Sequence, residues 1–271
     1  MSSIQISIPY GLVAFFIIFC GNFKSSFSHG KDKNTQRRID DTHWQEAVGT
    51  WYGPPTGCGS DGGACGYAKA VSEHPFNSMI TAISHNLYKE GQGCGVCYQV
   101  KCKNNPCCSE KPVRVTVTDL CPECQHNHFD LSGTAFGALA KHGEEDNLRK
   151  SGKLQLEFTR VECDYSAKNV DFKIDVGSNP YYLAFVVEYP EGDGDISKVY
   201  VRDCLAKPDD WKPMVRSWGA LWKYNSPTEM RPPFSVLLKS RYSESVLVAE
   251  NVIPKDWVPG KTYASSVNFK V

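Results

Sequence analysis

Residues 119–137 read Asp119-Leu-Cys-Pro-Glu-Cys-Gln-His-Asn-His-Phe-Asp130-Leu-Ser-Gly-Thr-Ala-Phe-Gly137. The segment before them, residues 113–118, alternates apolar and polar side chains. This period of two predicts a half-buried β-strand that carries Asp119 to its end. His128 and Asp130 follow in the same stretch. Two carboxylates and a histidine therefore lie on or beside one loop, and the rest of the chain can be interpreted as support for that loop.

Asp119, His128 and Asp130 are the candidate catalytic residues. An aspartate at a strand end is usually a cap or turn former, but a histidine close to two carboxylates is rarer outside functional sites. In glycan-cleaving clefts one carboxyl donates a proton while the other activates water or attacks the sugar. The pattern favours such a cleft, and a hydrolase would need both carboxylates on the same side of it.

Composition narrows the choice of ligand. The chain has 271 residues, enough for two domains, and its 30 Lys and Arg balance its 30 Asp and Glu. Without a basic field, nucleic acid and anionic membrane surfaces are poor partners, and a neutral ligand is favoured. The glycines at 57–66 lack the Lys-Ser/Thr ending of a phosphate-binding loop, and the sequence has neither a serine-hydrolase elbow nor a zinc-protease helix motif.

The N-terminus predicts secretion. Residues 11–19 form an apolar run that fits a secretory signal and is too short to span a bilayer. No Lys or Arg precedes the run, so a buried N-terminal strand is the alternative. We predict a signal peptide at residues 1–28, a polar, flexible arm at residues 29–46, an extracellular protein and no transmembrane segment.

The cysteines point to the same compartment. Of the twelve, Cys20 would leave with the signal, ten lie within residues 58–163, and Cys204 follows alone. Dense cysteines in a secreted chain predict a disulfide framework. The Cys94-x-x-Cys97 and Cys121-x-x-Cys124 pairs resemble a zinc ribbon, but disulfides are favoured in an oxidising compartment, and we predict neither metal nor cofactor. The odd number that remains leaves at least one thiol free or paired between chains.

The first domain is predicted at residues 47–164. It is rich in Gly and Cys and has short strand-like segments, so we predict a mostly β domain, a barrel. One short helix is predicted over residues 134–141, with Ser132 as its cap and Gly143 as its stop.

The second domain is predicted at residues 165–271, after a linker at residues 164–169. Cysteines nearly vanish there, and short alternating segments follow one another with turn signals between them and no helix. This spacing predicts a β-sandwich.

Aromatic residues are the second functional signal. Trp51 and Tyr52 stand between glycines at the start of the first domain, and Trp211, Trp218 and Trp222 cluster in the second. Most tryptophans are core residues, and at least one of these three is expected to be buried. Exposed aromatic faces, in contrast, stack on the apolar faces of neutral sugars, so a glycan-binding platform is the competing hypothesis.

Several motifs together resemble plant expansins of the β subfamily. They appear in the order expected for that family and cover about residues 45–271. The motifs are Thr50-Trp-Tyr-Gly53, Gly62-Gly-Ala-Cys-Gly66, Gly93-Cys-Gly-Val-Cys-Tyr98, Thr118-Asp119, His128-Phe-Asp-Leu-Ser-Gly-Thr-Ala-Phe-Gly137, Trp211-Lys-Pro-Met214 and Ser217-Trp-Gly-Ala220. The resemblance implies a double-psi β-barrel related to family-45 endoglucanases, followed by an immunoglobulin-like, cellulose-binding β-sandwich.

The resemblance also implies roles for individual residues. Asp130 matches the general acid of the related endoglucanases, whereas expansins lack the catalytic base, and no replacement is evident in this sequence. The residues implied to line a glycan groove are Trp51, Tyr52, Asp61, Asp119, His128 and Asp130 in the first domain, with Tyr182 and Trp218 in the second. The implied disulfides are Cys65 with Cys94, Cys97 with Cys163 and Cys102 with Cys108.

Three cysteines depart from that pattern. Cys121 and Cys124 are close enough in sequence to pair with each other, which leaves Cys58, Cys107 and Cys204 without an assigned partner. Cys107 and Cys108 could exchange roles.

The resulting hypothesis is a secreted, monomeric cell-wall protein that is not an enzyme. It would disrupt noncovalent contacts between cellulose and matrix glucans without hydrolysis, because an inverting hydrolase that lacks a base cannot activate water efficiently. Two alternatives stay open at this point: an inverting endoglucanase that uses a carboxylate such as Asp61 as its base, and a non-catalytic wall polysaccharide-binding protein.

Overall fold

The computed structural model describes residues 43–166 and 168–270. Six strands of the first part close into a barrel in the order β1-β5-β2-β4-β3-β6. The strands are β1 (Gln45–Tyr52), β2 (Ile80–Ile83), β3 (Cys97–Lys103), β4 (Val113–Leu120), β5 (His128–Ser132) and β6 (Leu154–Val161). Strands β1 and β5 run parallel, as do β2 and β4, and the other pairs are antiparallel.

Alternation along β5 sets the two sides of the barrel wall. Phe129 and Leu131 are completely buried in the core, where the ring of Phe129 packs against Tyr98 and Phe158. Because successive side chains of a strand point to opposite faces, His128 and Asp130 emerge on the outer face.

Short helices cover the barrel. They are α1 (His85–Tyr88), α2 (Gly133–Ala138) and α3 (Glu145–Lys150), with a 3-10 helix at Ala68–Ser72. The Ser132 hydroxyl caps α2 by accepting the backbone N–H of Ala135. The predicted extent of this helix is wrong at its end: α2 stops well before Gly143, because Ala140 instead forms a β-bridge with Cys108.

The second part is a sandwich of two antiparallel sheets, with strand orders β10-β9-β13-β14 and β11-β12-β8-β7-β15. The strands are β7 (Asp171–Ile174), β8 (Tyr182–Glu188), β9 (Ile196–Arg202), β10 (Lys212–Pro213), β11 (Val215–Trp218), β12 (Leu221–Asn225), β13 (Phe234–Ser240), β14 (Val246–Ile253) and β15 (Thr262–Ala264). Phe172, Phe185, Trp222 and Phe234 form part of the core between the sheets. The predicted fold class, a β-barrel followed by a β-sandwich, is confirmed.

Partly buried polar contacts join the barrel to the sandwich. Arg160 of β6 forms an ion pair with the buried Asp195 at 2.8 Å. The guanidinium of Arg216 donates to the carbonyls of Gly91 and Ile196, at 3.1 and 2.7 Å. The partly buried guanidinium thus connects β9 of the sandwich to the barrel carbonyl of Gly91.

Four disulfides, all between pairs named from the sequence, staple the first part. They join Cys65 to Cys94, Cys97 to Cys163, Cys102 to Cys108 and Cys121 to Cys124. Among the described residues, Cys58, Cys107 and Cys204 form no disulfide. Within the same residues there is no group of three or more His, Cys, Asp or Glu placed to bind a metal.

Some of the predicted segment boundaries differ from those in the structure. The predicted signal peptide and residues 29–42 of the predicted arm lie outside the described residues. The predicted arm, residues 29–46, overlaps β1, because this strand begins at Gln45 and pairs there with Phe158 of β6. The linker predicted at residues 164–169 falls between β6 and β7. None of the helices in the described part of the chain is long and apolar enough to cross a membrane.

Candidate functional site

Thr50 joins two polar residues of β5, His128 and Asp130. The parallel register sets Thr50 beside Asp130 and Val48 beside His128. The Thr50 hydroxyl donates to Asp130 Oδ1 at 2.5 Å and lies 2.8 Å from His128 Nε2. A hydroxyl has one proton, so with that proton on the Asp130 bond, His128 Nε2 must be the donor to Thr50. The three side chains therefore form one hydrogen-bonded chain on the outer face of the barrel.

Asp119 and Asp130 lie on the same face. Strand β2 runs between their strands, and its Ala82 is paired with Asp119 on one side and with Asp130 on the other. Two inter-strand spacings place their Cα atoms about 10 Å apart. Both predicted carboxylates are thus brought to one surface.

The Asp119 carboxylate also holds a loop in place. Its Oδ1 accepts the backbone N–H of Ala64 at 2.6 Å and that of Leu120 at 2.8 Å. The loop needs glycine close to this contact, because a Cβ on Gly63 would lie 2.7 Å from the Thr118 carbonyl. Residues 62–66 therefore lie beside Asp119.

Burial shifts the pKa values of Asp130 and His128. The pKa of Asp130 is raised by burial, against the opposing effects of the Thr50 hydrogen bond and of His128. Burial lowers the pKa of His128. Asp130 thus keeps its proton to higher pH than an exposed aspartate, as a group that donates a hydrogen bond or a proton to a glycan oxygen requires.

Tyr52 shares the outer face with Thr50. Burial, together with the charges of Asp119 and Asp130, raises the pKa of its phenol, so the phenol is neutral. Its hydroxyl is buried, and the backbone of Gly59 packs on the ring. Tyr52 therefore packs against the loop that contains Gly59, close to Asp119 and Asp130.

Trp51 and Asp61 are placed differently from the cluster. Trp51 lies on the opposite face of β1, where its ring packs near Phe136 and its Nε1 donates to the Arg149 carbonyl at 3.1 Å. The structure does not bring it to Asp130. Asp61 is exposed and belongs to the loop that Asp119 holds, two residues before Gly63.

Trp218 extends the surface onto the sandwich. A β-bulge between Arg216 and Trp218 changes the face to which the chain directs these side chains. Arg216 stacks over the buried Trp222, whereas Trp218 is 51% exposed. The other side of the Trp218 ring lies against Gly66, where an added Cβ would come within 2.8 Å of it.

Tyr182 lies on the same face of its sheet as Trp218. Leu221 is paired with both Trp218 and Val186, and Tyr182 is four residues before Val186 on β8. Since residues i, i+2 and i+4 line one face of a strand, the Tyr182 side chain points to the Trp218 side. Tyr182 is half-buried, and the two aromatics occupy the two ends of that face.

Some site residues were not predicted individually. The roles of Thr50 and Gly66 depend on contacts with Asp130 and with Trp218, far away in the sequence. The alternation of Thr50 with Tyr52 could have indicated their common face. No local pattern indicates Arg216, whose role depends on a bulge and on the barrel.

Comparisons with known proteins show the family of the chain. A family profile described as "Lytic transglycolase" matches residues 80–158, and one described as "Expansin C-terminal domain" matches residues 170–254. "Putative expansin-B2" of Arabidopsis thaliana is 46% identical over 250 residues, which cover 92% of this chain and 91% of that protein. The chain belongs to the β-expansin family.

Further relatives support this membership and the fold. "Expansin-B11" of Oryza sativa subsp. japonica is 51% identical to this expansin over 234 residues, covering 84% of this chain and 79% of the relative. Two crystal structures of a Clavibacter michiganensis expansin, one without ligand and one of a variant in complex with cellohexaose, superpose with TM-scores of 0.63 and 0.64. Each has 21% identity and covers 84% of this chain and 100% of its own, which shows a common fold. The resemblance drawn from the sequence motifs is confirmed.

Proposed function

We propose that the surface from Asp130 to Tyr182 binds one glucan chain of the cell wall and separates it from its neighbours without cleaving it. The protein is an expansin, a cell-wall-loosening protein that binds cellulose. Our proposal adds three points to this: the surface is the binding groove, matrix glucans are displaced from cellulose there, and no bond is hydrolysed.

The contact between Trp218 and Gly66 is the observation that carries the proposal. It joins an exposed aromatic ring of the sandwich to the barrel loop whose Ala64 N–H is bound by Asp119. Carboxylates and an aromatic platform are therefore parts of one continuous surface. Such a surface offers polar groups to sugar hydroxyls at one end and a flat ring to sugar faces at the other.

A groove of this kind can loosen a wall without an energy source. Each contact between neighbouring glucan chains is weak, and a protein that stacks on one chain and binds its hydroxyls competes for those contacts locally. Binding then shifts the population toward separated chains. Tension already present in the wall moves the separated chains past each other.

Hydrolysis needs a second carboxylate that acts as a base. Asp119 lies on the same face as Asp130, but its Oδ1 is engaged by two backbone N–H groups that hold the 62–66 loop and Leu120. A carboxylate used as a structural acceptor is a poor base for water. The proposal therefore gives Asp130 the role of a hydrogen-bond donor to the glycan.

The hydrolase alternative has support of its own. The match to the "Lytic transglycolase" profile covers both Asp119 and Asp130, and the raised pKa of Asp130 suits a general acid. Under this alternative, Asp119 or the exposed Asp61 activates water, which requires carboxyl groups about 6.5–9.5 Å apart.

The deciding experiment measures extension of heat-inactivated wall strips under constant load together with released reducing sugar. We expect extension without sugar release, and loss of extension in Asp130→Asn, which keeps the shape of the side chain. The exposed Asp256→Asn serves as the matched control and should extend walls normally. Sugar release that disappears in Asp130→Asn or Asp119→Asn would establish the hydrolase instead.

A third outcome separates a passive binding protein from both. If cellulose binding persists and neither wild type nor variants extend the wall or release sugar, the groove only binds.

We further propose that the mature protein is a secreted monomer of the cell wall, released from a signal peptide at residues 1–28. N-terminal sequencing and light scattering of the exported protein test these two points.

A further inference from the structure

A cleft of about 420 Å³ opens at the end of the sandwich that lies beyond Tyr182. We name it the far-end cleft. It lies where strands β9, β10 and β12 end and the loops at residues 203–210 and 226–230 meet. Its lining residues are Val201, Asp203, Leu205, Ala206, Asp210, Lys212, Tyr224, Ser226, Pro227, Thr228 and Met230.

The far-end cleft is separate from the groove. Tyr224 and Asn225 are neighbours on β12, paired with Leu183 and Tyr182 of β8, respectively. Because neighbouring residues of a strand point to opposite faces, Tyr224 projects to the inner side of the sheet and Tyr182 to the groove side. A glucan chain that follows the groove past Tyr182 therefore runs over one face of the sheet, while the cleft opens behind it.

The lining combines an apolar floor with polar groups at the rim. Val201 and Met230 are buried at its base, and the half-buried ring of Tyr224 forms a wall. Ser226 and Thr228 stand on the loop beside that ring. Small-molecule sites have this composition, apolar surface for contact and a few convergent polar groups for orientation.

Three of the polar groups are held in place. Asp203 Oδ1 accepts the backbone N–H groups of Leu205 and Ala206, both at 2.9 Å. Lys212 Nζ forms an ion pair with Asp210 Oδ1 at 2.6 Å. The rim thus combines carboxylates, hydroxyls and an ammonium, which suits a ligand that both donates and accepts hydrogen bonds.

The charge of the cleft selects among such ligands. Two aspartates against one lysine give the lining a formal charge of −1, so an anion such as a uronate or a phosphate is disfavoured. A neutral sugar presents hydroxyls for the rim and an apolar ring face for Tyr224.

We infer that the far-end cleft binds a neutral sugar unit of a second polysaccharide chain, distinct from the chain in the groove. The inference deepens the proposed function, on which its biological use rests. Two sites on one sandwich raise the local concentration of the second chain near the first. The protein would then hold two wall polysaccharides at once while tension moves them.

The test is an amide chemical-shift titration of the full, isotopically labelled protein with cellotriose, xylotriose and trigalacturonic acid. We expect a neutral probe to shift the amides of Ala206, Tyr224 and Thr228 in a saturable way, and the acidic probe to bind more weakly. Thr228 is exposed, and in Thr228→Trp the new indole should fill the cleft. The affinity of this variant for the neutral probe should fall about tenfold or more. Lys207→Trp adds the same bulk at an exposed position outside the cleft and should bind as wild type does.

A smaller substitution tests the cleft in case Thr228→Trp does not fold. Tyr224→Phe removes only a hydroxyl, so it keeps the packing, and it should weaken binding of the neutral probe severalfold. The inference is overturned if no probe shifts the cleft amides, if Thr228→Trp and Lys207→Trp bind equally well, or if the acidic probe binds more tightly than the neutral ones.

Trp218→Ala separates this inference from the proposed function. It should bind insoluble cellulose about tenfold more weakly and still show the cleft shifts. If it retains cellulose binding as well as the cleft shifts, the groove proposal fails and the cleft stands. If it loses both, the cleft is not an independent site and the inference fails.

Discussion

The indole ring of Trp218 lies on the backbone of Gly66, so close that a Cβ on Gly66 would be 2.8 Å from ring atom Cη2 and 2.9 Å from Cζ3. Gly66 also has a φ of +87°, a conformation that favours glycine. The contact fixes the exposed aromatic of the sandwich relative to the loop that Asp119 binds. The geometry of the proposed groove at the junction of the two domains therefore depends on the absence of one side chain.

Gly66→Ala should destabilise the protein and disturb the groove together. The new methyl group would meet the Trp218 ring and impose backbone strain, a combined loss of about 2–4 kcal/mol in the free energy of unfolding. Displacement of the ring should also weaken binding to cellulose. Urea denaturation and a cellulose pull-down measure the two effects.

Gly143→Ala is the matched control for Gly66→Ala. Gly143 has a φ of +84°, and nothing lies within 4 Å of its added Cβ. It should therefore lose only about 1 kcal/mol from backbone strain and bind cellulose normally. Equal effects of the two substitutions on cellulose binding would show that the ring contact does not shape the groove.

Trp218→Ala and Trp222→Ala should affect different properties. Trp218 is 51% exposed and Trp222 only 5%, and Arg216 stacks on the Trp222 ring. We expect Trp218→Ala to weaken binding to cellulose about tenfold with little change in stability. Trp222→Ala should lose about 3–5 kcal/mol of stability because it leaves a cavity in the core. Thermal melting and binding isotherms of both variants test this difference, and a stable Trp222→Ala protein would contradict the packing argument.

The sequence was sufficient for what short-range patterns determine. Alternation over residues 113–118 predicts the strand that ends beside Asp119, and Ser132 marks the start of α2. The cluster Trp211, Trp218 and Trp222 indicated that at least one member would be buried. Which member is buried was not predictable, because the answer depends on a bulge that reverses the direction of side chains after Arg216.

The candidate site depends on long-range pairing. The hydrogen bonds of Thr50 exist because β1 lies parallel to β5, which places Thr50 next to a residue 80 positions away. The same pairing directs Tyr52 outward and Trp51 inward, although the two are adjacent in the Thr50-Trp-Tyr-Gly53 motif. Sequence alone names these residues, but only the register decides which of them share a surface.

Thr50→Val should raise the pKa of Asp130 further. The threonine hydroxyl donates to the carboxylate and stabilises its charged form. Valine has a similar shape and no donor, so Asp130 should hold its proton to higher pH. If the protonated form acts on the glycan, wall extension in the variant should persist to higher pH than in wild type. Titration of the Asp130 carboxyl by carbon NMR and creep at a series of pH values give independent readings.

Thr262→Val provides the control for Thr50→Val. Thr262 is exposed on β15 and should leave both the titration and the extension profile unchanged. An unaltered Asp130 titration in Thr50→Val would refute the stabilising role of the hydroxyl. A shifted titration with an unshifted extension profile would show that the protonation state of Asp130 does not govern activity.

Glu188→Gln should remove part of the pH dependence of stability. Glu188 and Asp171 are paired across β8 and β7, and each has one buried carboxylate oxygen without a hydrogen-bond partner. Burial raises the pKa of Glu188 from 4.5 to about 7. The native state therefore binds this proton more tightly than the unfolded state, and the resulting stabilisation is complete below about pH 4.5.

As the pH rises toward 7, that stabilisation is lost, because the unfolded state ionises freely while the folded state resists ionisation. For wild type this amounts to a fall on the order of 3 kcal/mol in the free energy of unfolding. Glutamine cannot ionise, so Glu188→Gln should show a flatter profile and a higher stability than wild type near neutral pH. Urea denaturation across the acid to neutral range measures the two profiles. The exposed Glu229→Gln should follow the wild-type profile, and the explanation fails if Glu188→Gln follows it too, because the proton would then not reside on Glu188.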